Sequence, residues 1–143
     1  MRMIDDRTGL EVLAQDECLQ LLRKQAVGRV AVVAGGRPMI FPVNYVVDGR
    51  TIVFRTDAGT KLNGVTSGFN VAFEIDGIEP LYHTGWSVLV SGVGRHVVDA
   101  TEVAALAELP LRPWAARERS PKSNFVRIRP DTMTGRRIIG LDG

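Results

Sequence analysis

Arg55, Thr56, Thr60 and Lys61 stand close together around Asp57-Ala58-Gly59, directly after the apolar run TIVF at 51–54. Two cations there supply charge for a phosphate dianion. Two hydroxyls and the N–H groups of a glycine-containing loop supply fixed donors. Strands often end in Arg-Thr, so spacing alone leaves a phosphate cradle and an ordinary strand end both open. The other candidates are weaker. A single cysteine, Cys18, excludes an internal disulfide and a cysteine-cluster metal site, and its place on a helical apolar face reads as a core thiol. Two histidines, His83 and His96, are too few for a histidine-rich metal site. Ser87 and Ser91 lack the glycine context of a nucleophile elbow. Glu74 and Asp76 share one strand face and read as a solvated pair. GVGR at 92–95 precedes no helix and is not a phosphate loop. No side chain is assigned a catalytic role, and no metal is expected.

These residues need a scaffold, and the strand signals dominate it. GRVAVVA (28–34), PMIFPVNYVV (38–47) and TIVFRT (51–56) are joined by Gly35–Gly36 and Asp48–Gly49, both hairpin signals. They predict an antiparallel meander. Residues 57–68 read as a loop with at most a short helix. NVAFEI (70–75) and WSVLVSGVGRHVV (86–98) are further strands, the second bent at Gly92 and Gly94. SNFVRIRP (123–130) and MTGRRII (133–139) read as two more. Before the meander, Cys18, Leu21, Leu22 and Ala26 share a helical face, with acids at 16–17 and bases at 23–24 suiting the dipole, and Gly28 as the stop. Asp99 and Glu102 resemble a capping box for a helix over 100–109. No βαβ rhythm appears. The expected fold is mainly β: a six- to seven-stranded antiparallel Greek-key barrel with flanking helices.

The chain has 143 residues, which predicts one domain over 1–143, with 1–12 as a loosely ordered N-terminal extension. No apolar run of membrane-spanning length and no targeting segment is visible, so a cytoplasmic protein is expected. Of the net charge of +2, residues 112–137 contribute +6, from seven Arg and one Lys against two acids, and the rest carries −4. Such an end could meet nucleic acid. Only Trp114 and Phe125 lie there to stack on bases, which argues against that partner.

The order of the motifs adds more than any one of them. DECLQLL, VGRVAV, RPMIFPVNYVVDG, IVFRTDAGTK, VAFEIDG, GWSVLVSGVG and RIRPDTMTGRRI follow one another from about residue 13 to 138. In this the chain resembles the pyridoxamine 5′-phosphate oxidase-like superfamily of flavin-binding split β-barrels, and within it the small nitroimidazole-resistance-like branch. The resemblance implies a homodimer with flavin mononucleotide (FMN) at the subunit interface. It places Pro42, Val43, Asn44 and Tyr45 beside the flavin ring. Arg55 and Thr56 then reach the ribityl-phosphate, Thr60 and Lys61 complete the phosphate site, and Trp86 and Ser87 approach the ring from the other subunit. TGRRI (134–138) falls where the family's oxidases contact substrate and ring, but their longer C-terminal substrate motif is absent.

The implied activity is that of an oxidoreductase on a small-molecule redox substrate, with a non-enzymatic flavin-binding protein as the rival. Coenzyme F-420, a deazaflavin, is the alternative cofactor. Its oligoglutamate tail would need cations beyond Arg55 and Lys61, such as those of 112–137, so FMN is expected first. Haem is the third possibility and is disfavoured, because no histidine falls in a matched motif.

Overall fold

The computed structural model describes residues 2–111 and 124–139. In chain order the elements are β1 (Met3–Ile4), β2 (Glu11–Val12), α1 (Gln15–Lys24), β3 (Val27–Ala34), β4 (Arg37–Asp48) and β5 (Thr51–Thr56). They continue with α2 (Thr60–Val65), β6 (Asn70–Glu79), β7 (Thr84–His96), α3 (Ala100–Ala107) and β8 (Asn124–Arg137). The meander β3–β4–β5 forms as expected, its first hairpin turning at Gly35 and Gly36 with φ of 59° and 75°. Only glycine takes two such residues in succession without steric cost. The chain then crosses over, lays β6 against β3, and returns through β7 and β8. Since β8 pairs with both β7 and β5, the six long strands close into an antiparallel barrel. That is the mainly β split barrel with flanking helices that the sequence predicts. Within the N-terminal segment read as an extension, β1 pairs with β2, and β2 with the end of β8, Glu11 opposite Arg137.

Alternation sorts the side chains. Val30, Val32, Val43, Tyr45, Phe73, Ile75, Val88 and Val90 point into the barrel and are buried. β5 is buried on both faces: Ile52 and Phe54 join the main core, while Val53 joins a second, smaller one with Val97, Leu106, Leu111 and Phe125. This explains why 52–54 reads as unbroken apolar residues. Asp99 caps α3 by accepting from the Glu102 N–H at 2.9 Å.

Four local expectations need correction. The two strands read over 123–130 and 133–139 are replaced by one, β8, over Asn124–Arg137. Opposite Ser91 and Gly92 the register slips by one residue and leaves Asp131 unpaired, a bulge that carries the strand past Pro130. Gly28 is not a helix stop. It lies inside β3, where a Cβ would come within 2.2 Å of the Phe73 ring. On α1 the buried residues are Cys18, Leu19 and Leu22, whereas Ala26 lies past the helix end and is exposed. Phe125 is only 5% exposed, so it is no platform for bases. Trp114, Arg112, Arg117 and Arg119 lie outside the described residues. Of the remaining basic stretch, Arg127 pairs with Asp48 and Glu102, Arg136 with Asp5, and Arg137 with Glu11 and Glu17. Among the described residues no helix is long and apolar enough to cross a membrane.

Candidate functional site

The segment 42–45 alternates across the β4 strand. Val43 and Tyr45 are core residues. The Tyr45 hydroxyl donates to the Leu22 carbonyl at 2.5 Å, its ring meets Phe73 edge-on at 4.9 Å, and burial pushes its phenol far up. Pro42 and Asn44 take the opposite, outward side, Pro42 exposed and Asn44 half-buried. The ladder between β4 and β5 ends with Tyr45 opposite Phe54, so Asn44 and Arg55 are the next residues beyond it on the two strands. β5 stops one residue later, and α2 follows. Leu62, Gly64 and Val65 bury one side of α2, with Gly64 close against Val32. Lys61 lies on its rim. The Lys61 Nζ sits 5.3 Å from the centre of the Phe41 ring, and burial pulls its ammonium below the usual lysine range, with Asp57 opposing. Thr60 is exposed. Thr56 is 5% exposed, and its hydroxyl donates to the Asp57 carbonyl at 3.3 Å.

Arg55 is the most constrained group of the set. Its register partner is Phe125 of β8, and its guanidinium lies 4.8 Å over that ring. One terminal N–H donates to the Leu111 carbonyl at 3.2 Å. The Nε is buried and has no hydrogen-bond partner among the described residues. Leaving such a donor unsatisfied costs about 1–3 kcal/mol, more when the group is charged. An anion supplied from outside would remove that cost. Arg55 and Thr56 thus end β5 next to Asn44 in mid-β4, while Lys61 on α2 lies over Phe41, and both cations are half-buried. This donor set fits a phosphate group.

Trp86 and Ser87 lie elsewhere in the same chain. They pair with Arg137 and Arg136, at the far end of β8 from Phe125. Ser87 is also the register partner of Asp76, which reaches Arg29, the register partner of Pro42. Trp86 borders an open surface depression shared with Ile78, Glu79, Thr84, Arg137 and Ile138, so part of the segment 134–138 does lie beside Trp86. Gly77 lets the indole approach, since a Cβ there would come within 2.6 Å of its Nε1.

One cluster escaped the sequence reading. Arg29 reaches both Glu74, at 3.4 Å, and Asp76, at 3.0 Å, on the outward face of β3 and β6, beside Pro42 in the register. The two acids do share a face, yet both are half-buried. Only the pairing of β3 with β6 makes Arg29 their neighbour. Burial pushes the Glu74 carboxyl up to about 7, helped by its contact with the Asp76 carboxyl and opposed by Arg29. The folded chain therefore holds this proton more tightly than the unfolded chain. Stability should fall as pH rises from the ordinary glutamate range to about 7. Glu74→Gln should flatten that slope in urea titrations across pH 4.5–7.5, and an unchanged slope would assign it to another group.

The described residues contain no cluster of histidine, cysteine and acids that could hold a metal. The profile of one protein family, pyridoxamine 5′-phosphate oxidase, matches residues 14–137. A Mycobacterium tuberculosis protein, the uncharacterised Rv0080, is 37% identical over 133 residues, covering 89% of this chain and 84% of its own. The FAD-binding protein of Mycobacterium smegmatis has a similar structure, with a TM-score of 0.72 and 37% identity over 89% of this chain and 97% of that one. A FAD-binding protein of Mesorhizobium loti, with a TM-score of 0.74, 20% identity and coverage of 91% and 99%, shares the fold.

Proposed function

Because the chain belongs to the pyridoxamine 5′-phosphate oxidase family, we propose that it binds a flavin and works as a flavin-dependent oxidoreductase on a small molecule. The observation that carries this reading is the buried Arg55 Nε, without a partner among the described residues, on the strand end next to Asn44, with Lys61 partly desolvated on the following helix. Arg55, Thr56, Thr60 and Lys61 hold the phosphate of the flavin. Pro42 and Asn44, the outward pair of their segment, lie along the ring, while Val43 and Tyr45 support them from the core. A bound flavin supplies the hydride or electron transfer at its ring, and the protein supplies placement and charge.

The family resemblance has Trp86 and Ser87 approach the ring from the other subunit. A second copy supplies them, so the functional unit is a homodimer. The outward side of β3, β4, β6 and β7 supports this, because Ile40 and Leu89 are exposed there around Ala31 and Ala72, flanked by Arg29 and Glu74. Light scattering at micromolar concentration should give twice 15.6 kDa. A mass of one chain would sink the dimer and the contribution of Trp86.

The cofactor is tested by the visible spectrum of freshly purified protein, followed by titration of the apoprotein with FMN, FAD, riboflavin and coenzyme F-420. A flavin spectrum and tight binding of a phosphorylated flavin are expected. A second reading, FAD in place of FMN, is favoured by the FAD-binding protein of M. smegmatis at 37% identity. Both cofactors place a phosphate next to the ribityl chain, so the same residues serve either. Tenfold tighter binding of coenzyme F-420 than of FMN, about 1.4 kcal/mol, would overturn the choice of flavin.

A further inference from the structure

We propose that Phe125 is a positioning residue, which holds the Arg55 guanidinium flat so that its Nε edge is fixed as a receptor for a phosphate group. The inference rests on the phosphate reading of Arg55 given above. It adds a residue outside all the motifs that led to that reading.

The cross-strand register sets Arg55 opposite Phe125, and the planar cation lies over the ring at 4.8 Å. An aromatic face attracts a guanidinium, more so where water is excluded. The ring itself cannot yield, since it is 5% exposed and packed in the small core of Val53, Val97, Leu106 and Leu111. A second anchor acts on the same cation: one terminal N–H donates to the carbonyl of Leu111, a residue 4% exposed. A face and one nitrogen are thereby held. The buried Nε has no partner among the described residues, and this is the edge assigned to the phosphate. A guanidinium binds phosphate best through two parallel N–H groups, and a fixed plane is what makes such a fork selective. An arginine on a strand end without this ring would turn freely into solvent and act as a diffuse charge.

The test compares FMN with riboflavin, which lacks the phosphate, by fluorescence titration of each apoprotein. The quantity read is the ratio of the two dissociation constants. Phe125→Leu should lower the wild-type preference for FMN about five- to tenfold, and Phe125→Tyr, which keeps the aromatic face, should restore it. Arg55→Lys keeps the charge but lacks the plane and the Nε donor, so it should lose the preference to the same degree even if Phe125→Leu does not fold. Val97→Ala loosens the same small core without touching Arg55 and should leave the ratio unchanged. A wild-type ratio in Phe125→Leu or in Arg55→Lys would overturn the proposal, as would an equal loss in Val97→Ala. A wild-type protein that binds FMN and riboflavin alike would remove the phosphate reading itself, a result distinct from the failure of Phe125 alone.

Discussion

Lys61→Ala is expected to weaken FMN binding tenfold to a hundredfold and to leave riboflavin binding within about twofold. The ammonium is half-buried on the rim of α2, where burial already disfavours its charge. The Phe41 ring lies beside it and Asp57 favours its charge. A dianionic phosphate in that position restores the charged form and gains a charge-assisted contact, which accounts for roughly 1.5–3 kcal/mol. Conversion at about 1.4 kcal/mol per decade yields the stated range. Riboflavin offers no anion, so only ring and ribityl contacts remain, and Lys61 makes neither in this reading. The loss should also shrink with added salt in the wild type, because part of the attraction is screened. Equal losses for both ligands would move the phosphate away from Lys61 and leave Arg55 to be explained as a structural cation.

Local signals were legible and long-range partners were not. The β-branched alternation of 28–34, the Gly35–Gly36 turn and the Asp99 cap all act within a few residues, and each is found where the sequence predicts it. Arg55 and Lys61 were legible as cations beside a loop. What holds Arg55 was not, because Phe125 comes from a strand seventy residues away. Arg29 was silent for the same reason: its acids lie on β6, and nothing near residue 29 marks an ion pair. Pro130 read as the end of a strand because a proline removes one ladder donor. The slip opposite Ser91 and Gly92 absorbs that defect, and a slip is a property of two strands together. Alternation along 42–45 was the signal that could have divided the motif into core and surface halves. Tyr45 falls in the core half, with its hydroxyl on the Leu22 carbonyl.

Phe73→Ala should destabilise the fold by about 3–5 kcal/mol, the usual cost of removing a fully buried phenyl ring. Phe73 is 0% exposed, and two features of the barrel depend on it. Gly28 leaves open the space that the ring occupies, with its missing Cβ only 2.2 Å from the ring tip. Tyr45 meets the same ring edge-on and carries the hydroxyl that closes onto the Leu22 carbonyl. Deleting the ring therefore leaves a cavity between β3, β4 and β6 and frees Tyr45, the core half of the proposed flavin segment. Gly28→Ala attacks the same contact from the other side and should cost about 1–3 kcal/mol through overpacking. The two changes share one space, so they should not add. Gly28→Ala with Phe73→Leu should be less destabilising than the sum of its parts, by about 0.5–3 kcal/mol. Urea titrations at one fixed protein concentration measure all four proteins, since a dimer's midpoint moves with concentration. Strict additivity would mean that the methyl at 28 and the ring at 73 do not compete. Gly28 would then have to be explained by β3 backbone conformation, and its pairing with Val43 would no longer link the core contact to the flavin strand.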